Sequence, residues 1–380
     1  MKNTCLHILS FGLISLLFLG SGAVAQNSAS SMDAVISQLQ LDETETPMSE
    51  HPNWNPSKIL IMERGPVSAA DQELRSQLED IAGDVELVFS SAGVLDESTL
   101  AGVDAVLGVC SPQLLASGDE DLLWVHNYFV GIEGCSDVPM EDIEGRYITN
   151  SQKLSSPSIA EHVVTLMMSL SRNFPAIHDA QRERNWDRSI AQQLTFGELS
   201  EKTILIAGLG GIGTEVAKRA HGLGMRVIAT RNSSRTGPDY VDYVGLSHEL
   251  NELAMQADIV VNALPLTDQT TGIFNQEFFQ AIKPNSIFVS VGRGKSTITN
   301  DLIEAIESGK LYGAGLDVTD PEPLPASSPL WNLDNVIITP HMATAGGLSI
   351  ERSKLIVLEN LRRYVEGERL LSPVDLSEGY

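Results

Sequence analysis

From Lys58 onward, short apolar runs alternate with stretches in which apolar residues recur every three or four positions. Runs at 58–62, 85–89, 105–109 and 122–125 read as strands, and Asp71 to Ile81 as an amphipathic helix. A second series starts at Thr203, with strands expected at 203–207, 226–230, 259–263, 286–290, 313–316 and 336–338. Helices fall between them, notably Thr214 to His221 and Asn300 to Ser308, and a last helix covers Ile350 to Glu366. Strands alternating with helices predict parallel sheets covered on both faces. The expected fold class is α/β, with two doubly wound parallel-sheet domains.

Between the two series, Pro157-Ser158 opens a long helix, with Ser158 as N-cap and Glu161 completing a capping box. Its Ile159, Val163, Val164, Met167 and Leu170 lie at helical spacing and predict a buried face. Met167 and Met168 read as packing, and His162 as a helix-surface or interface residue.

Composition narrows the functional classes. The 380 residues carry 25 Lys+Arg against 50 Asp+Glu, a formal net charge of −25. A hydrophobic fraction of 42% and a charged fraction of 20% suit a folded globular chain of two domains. The negative field repels phosphate backbones and anionic membrane surfaces, which excludes nucleic acid as a main partner. An anionic substrate therefore needs its own local cation.

Residues 1–25 read as a secretory signal: Lys2, an apolar run from Ile8 to Gly20, and a small-residue site at Ala23-Val24-Ala25. That predicts a periplasmic or secreted protein, without stable membrane association unless the segment stays uncleaved. A true start at Met32 or Met48 would instead leave the protein cytoplasmic. Residues 26–55 hold five acidic and no basic residues and read as a flexible acidic lead-in. After Cys5, only Cys110 and Cys135 remain, at spacings unsuited to zinc, so no metal site is expected. In an oxidising compartment those two could pair.

The most specific local motif is Gly208-Leu-Gly210-Gly211-Ile212-Gly213, between a strand and a helix. That context is the one a dinucleotide fingerprint requires, with the pyrophosphate seated on backbone N–H groups at the helix N-terminus. The next strand leads into Arg231, Ser233 and Arg235, where an NAD site usually carries Asp or Glu. Arginine there favours the 2′-phosphate of NADP(H), with NAD(H) as the other cofactor.

Further motifs follow: Leu264-Pro265-Leu-Thr267 with Thr271-Gly272, Val291-Gly292-Arg293-Gly, Gly315-Leu-Asp317-Val, Glu322-Pro323 and Thr339-Pro-His341. In order and spacing the chain, from about Lys58 to its C-terminus, resembles the D-isomer-specific 2-hydroxyacid dehydrogenase family, especially its glyoxylate and hydroxypyruvate reductases. The resemblance implies a Rossmann cofactor domain (155–340) inserted in a flavodoxin-like substrate domain (56–154 and 341–380). It implies an NADP-dependent oxidoreductase interconverting a small 2-ketoacid and a D-2-hydroxyacid by hydride transfer.

By the same resemblance, His341 is the general acid for ketoacid reduction, and Glu322 holds its tautomer and favours its protonated form. Arg293 grips the substrate carboxylate and polarises the carbonyl. Asp317 orients the nicotinamide carboxamide, and Leu264, Pro265, Thr271, Val291 and Gly292 line the cofactor. Val130 and Gly131, within the stretch Phe129 to Gly134, form an anion-binding nest for the carboxylate. Phe129 and Glu133 depart from the family's usual small residue and Asp, which leaves substrate identity open. The helix from Ser158 and the arm to about Trp186 imply a homodimer. Two other readings stay open: a formate dehydrogenase-like enzyme, which Glu322 opposes because those relatives carry Gln there, and a nucleotide-binding redox-sensing scaffold without turnover.

Overall fold

A computed structural model describes residues 32–91, 97–117, 121–136, 138–139 and 143–375 of the chain; the expected signal segment, 1–25, lies outside them. Apolar strand residues build two all-parallel sheets. The first contains β1 (Lys58–Glu63), β2 (Glu86–Ser91), β3 (Ala105–Gly108), β4 (Trp124–Asn127) and β5 (Tyr147–Asn150). Their spatial order is β2-β1-β3-β4-β5.

The second contains β6 (Thr203–Ala207), β7 (Arg226–Arg231), β8 (Tyr243–Leu246), β9 (Ile259–Asn262), β10 (Ser286–Ser290), β11 (Leu311–Leu316) and β12 (Val336–Ile338). Its order, β12-β11-β10-β9-β6-β7-β8, reverses between β6 and β9. In the first sheet the reversal falls between β1 and β3. Ligands of open α/β sheets bind outside the carboxyl ends of strands at such reversals.

The sequence pattern missed β5 and β8. Both are four-residue edge strands with polar residues or glycine among few apolar ones, which blurs their periodicity. The long helix spans Ser156–Ser171 with Ser155 at its N-cap, three residues before the expected Ser158, and the capping box does not form. The Ser158 hydroxyl lies 3.2 Å from that of Ser349, and Glu161 pairs with Arg219. Ile159, Val163, Met167 and Leu170 are buried as their spacing requires, whereas Met168 is exposed.

The acidic stretch expected to be a flexible lead-in is instead docked from residue 32 onward. The helix Met32–Leu39 and the following turn bury Val35, Leu39 and Leu41 against Leu154, Ile356 and Leu371. The Thr44 N–H donates to Leu370 O, and the Met48 and Ser49 N–H groups donate to Glu368 O and Gly367 O. Asp42 and Glu43 lose their like-charge repulsion by pairing with Lys153 and Arg363, each at 2.7 Å. Composition registered the acids; burial of three aliphatic side chains outweighs them. Val35→Ala should therefore lower unfolding free energy by about 2 kcal/mol in denaturant titrations. An unchanged midpoint would mean that the arm is not part of the folded unit.

The C-terminal helix, Ser349–Glu366, returns to the first sheet, where Val357, Leu361 and Tyr364 join its core. Tyr364 stacks near Trp124, with ring centroids 4.9 Å apart. Its hydroxyl donates to Asp104, whose other carboxylate oxygen accepts from the Ser57 and Lys58 N–H groups. Among the described residues, no helix is long and apolar enough to cross a membrane, and no cluster of His, Cys, Asp and Glu could hold a metal ion.

Candidate active site

The glycine motif occupies the turn from β6 into the helix Gly211–Gly222, at the reversal of the second sheet. That helix begins without a side-chain cap, so its first N–H groups are left for another acceptor. A Cβ at position 213 would stand 2.1 Å from Gly208 O, so only glycine lets the helix press this close to the strand. A Cβ at position 210, by contrast, would meet no atom within 4 Å. A close-packed turn with one open edge fits a dinucleotide pyrophosphate at a helix N-terminus. Ile212 is half-buried against the domain core.

Beyond β7 the outcome is mixed. Arg231 is exposed, and its guanidinium donates weakly to Thr236 O at 3.3 Å. Ser233 is exposed on the same loop. Arg235 is spent differently from the expectation: it pairs with Glu249 at 2.7 Å and donates to the Tyr243 hydroxyl. The Tyr243 hydroxyl, the Leu246 N–H and Arg235 together hold the Glu249 carboxyl down at about 2. Arg231 is thus the cation of this loop without a carboxylate partner among the described residues.

The far wall is knitted by a residue that sequence reasoning passed over. Asn262, fully buried at the end of β9, donates to the hydroxyls of Ser290 and Ser296 and accepts from Leu264 N–H. Its carbonyl also accepts from Val291 N–H. Asn262 therefore ties the Leu264-Pro265 turn to the Val291-Gly292-Arg293 turn. Pro265 O accepts from Thr270, and Thr271 closes the same loop onto Thr267 O. Arg293 is extended and half-buried, with one guanidinium donor on Gly292 O.

His341 and Glu322 meet as expected: Nδ1 lies 2.7 Å from Oε1, with both side chains substantially exposed. The backbone of His341 is left-handed, at φ 51°, a conformation uncommon outside glycine. Its N–H is held by Asp317 O at 2.8 Å and Thr339 O at 3.0 Å. The Asp317 carboxylate, nearly fully buried, accepts from the Thr339 hydroxyl and Met342 N–H on one oxygen and from Ala343 N–H on the other. It therefore anchors the segment that carries His341, beyond the cofactor role the resemblance implies, and three of its roughly four acceptor positions are used.

His162, read as a surface or interface residue, faces inward. Its Nε2 lies 2.9 Å from the Thr339 hydroxyl and 3.6 Å from Asp317. A third histidine, His126, is fully buried on β4, and burial pushes it down to about 3. It stays neutral at ordinary pH and does not compete with His341 as an acid.

Phe129, Val130 and Gly131 follow β4. The buried Asn127 amide donates to the carbonyls of Phe129 and Gly131, and the buried Asn150 amide donates to that of Val130. Three successive carbonyls are tied into the domain, while the N–H groups of Val130 and Gly131 have no acceptor among the described residues. These two donors are left for another acceptor. Cys110, two residues past the end of β3, and Cys135, on the one-turn helix Glu133–Ser136, are joined as a disulfide with a Cα separation of 5.5 Å.

A doubly wound cofactor-type sheet, a second parallel sheet and a carboxylate-paired histidine fit a nucleotide-dependent oxidoreductase of the 2-hydroxyacid class. Residues 164–343 match the family of the D-isomer specific 2-hydroxyacid dehydrogenase, NAD binding domain. Over 251 residues the chain is 34% identical to the glyoxylate reductase of Pyrococcus furiosus, covering 64% of this chain and 73% of that one. The structure resembles a D-isomer specific 2-hydroxyacid dehydrogenase from Xanthobacter autotrophicus in complex with NADPH. There the TM-score is 0.70 at 28% identity, covering 85% of this chain and all of the other. An NADPH-dependent glyoxylate/hydroxypyruvate reductase from Sinorhizobium meliloti matches with a TM-score of 0.69 at 25% identity, over 85% of this chain and all of that one. The chain belongs to the D-isomer-specific 2-hydroxyacid dehydrogenase family.

Proposed function

We propose that the protein is an NADP(H)-preferring reductase of small 2-ketoacids, with glyoxylate or hydroxypyruvate as substrate. The observation that carries this reading is the His341–Glu322 contact at 2.7 Å on the segment that Asp317 anchors. The glycine turn at Gly208–Gly213, Val291-Gly292 and the Leu264-Pro265 turn would hold the nucleotide, which supplies the hydride when bound. Val130 and Gly131 N–H groups bind the carboxylate, together with the forked donors of Arg293. His341 delivers a proton to the carbonyl oxygen from Nε2, because Nδ1 is engaged by Glu322. Arg231 is the group offered to a 2′-phosphate, and the NADPH-bound relatives support that preference.

The test is steady-state oxidation of NADPH and NADH with a panel of 2-ketoacids. Tight NADPH binding without turnover on any of them would refute the reductase reading. Arg231→Asp should shift the NADPH/NADH ratio of kcat/KM toward NADH by about tenfold, since one charge-assisted contact is lost. An unaltered ratio would remove Arg231 from the cofactor site.

We read residues 1–25 as an export signal, so the mature chain works in an oxidising compartment. The buried Cys110–Cys135 disulfide is consistent with that. A start at Met48 would delete Val35, Leu39 and Leu41 from the packed arm, which disfavours it. Exposed Met168, Phe174, Ile177 and Trp186, on and beyond the long helix, support a homodimer formed through that face.

A further inference from the structure

We infer that the Cys110–Cys135 disulfide is a positioning device for the substrate loop and sets the enzyme's affinity for its ketoacid. The inference rests on Val130 and Gly131 being the carboxylate site proposed above. It starts from where the two sulfurs sit. Cys110 lies two residues past the end of β3, the strand next to β4, on the side of the reversal in the first sheet. Cys135 lies four residues beyond Gly131, on a helix of a single turn. Both are buried, at 4% and 0% exposure.

The loop between β4 and that helix is tied to the domain through its first residues and its three carbonyls. The Tyr128 N–H donates to Gly108 O at 2.7 Å, and Asn127 turns the carbonyls of Phe129 and Gly131 inward. The same Asn127 accepts from Cys110 N–H at 3.1 Å, so the loop's scaffold already touches the first cysteine. At its end, the Cys135 N–H closes a tight turn on Ile132 O at 2.7 Å. A helix of one turn cannot hold itself, because nucleation consumes more order than one turn returns. Its position must come from outside, and the covalent link to Cys110 supplies it. The disulfide thus closes a ring that runs Cys110, Asn127, the three carbonyls, Ile132 and Cys135. Within that ring the unpaired N–H groups of Val130 and Gly131 keep one orientation.

A staple that merely restrains the unfolded chain would raise the melting temperature and leave substrate affinity untouched. A positioning staple acts on the ketoacid and spares the nucleotide, whose site lies in the other sheet. The test compares the wild-type enzyme with Cys110→Ala/Cys135→Ala, using glyoxylate as substrate. KM for glyoxylate should rise about tenfold, an ångström-scale loss of alignment being costly, while kcat and the NADPH dissociation constant stay within about twofold. Hydrogen exchange of the amides at 128–132 should quicken, and this readout holds even if glyoxylate is not turned over by the wild type.

A native-like fluorescence signal from Trp124, buried in the core of the first sheet, together with intact NADPH binding certifies that the double variant has folded. Should it fail to fold, reduction of the folded wild type by a water-soluble phosphine gives the same comparison without substitution. A lowered melting temperature with unchanged KM and unchanged exchange at 128–132 would overturn the inference. So would two free thiols in the native protein, alkylated after unfolding without reductant.

Discussion

His341→Ala should lower kcat for 2-ketoacid reduction by about three orders of magnitude, the range in which a positioned general acid contributes. NADPH affinity should stay within about twofold, because the substitution lies on the segment after β12 and not on the glycine turn. The size of the effect follows from how completely the site commits to this side chain. The left-handed backbone at 341 is held by two hydrogen bonds from its N–H, and the next two N–H groups are bound by the buried Asp317 carboxylate. Every local constraint points one imidazole at Glu322, 2.7 Å away. Neither His126 nor His162 can substitute: His126 is sealed in the core and neutral, and His162 is engaged with Thr339. Steady-state kcat with glyoxylate and a fluorescence titration of NADPH check both halves. Unchanged turnover would refute the acid assignment, and equal loss of NADPH binding would make His341 a structural residue instead.

The parts of this site that were legible in the sequence are those in which chemistry and geometry share one short segment. The glycine turn is such a case, since spacing, strand and helix all fall within a dozen residues. The edges of that site were not legible. Arg235 looks like a phosphate ligand until Glu249 and Tyr243 arrive from the next strand and helical turn to claim it. Asn127, Asn150 and Asn262 carry no periodic or motif signal, yet each is buried and orients backbone at a strand end. A buried amide at the carboxyl end of a parallel strand was the available clue, because such a group must find partners there. The docked arm escaped for a different reason. Its acidic residues dominate composition, while its burial depends on Leu154, Ile356 and Leu371, more than a hundred residues away.

Gly294→Ala should lower kcat/KM by about a hundredfold, the cost of ångström-scale misplacement, although residue 294 itself offers no functional group. Gly294 follows Arg293 and lies against the turn after β11. A Cβ there would stand 1.8 Å from Thr319 O and 2.2 Å from Thr319 C, both main-chain atoms that no rotamer change can clear. Either the Arg293 turn or the 317–322 segment must then move by more than an ångström. The first carries Arg293, the proposed carboxylate grip; the second runs from the Asp317 anchor of the His341 segment to Glu322, the partner of His341. One methyl group would drive apart the two halves that the reaction needs in register. Overpacking of this kind also lowers stability by about 1–3 kcal/mol, so the melting temperature should fall together with activity. Gly222→Ala is the control: a Cβ there meets nothing within 4 Å, at the end of a helix that tolerates alanine. Activity of Gly294→Ala equal to that of Gly222→Ala would show that the two segments need not touch for catalysis.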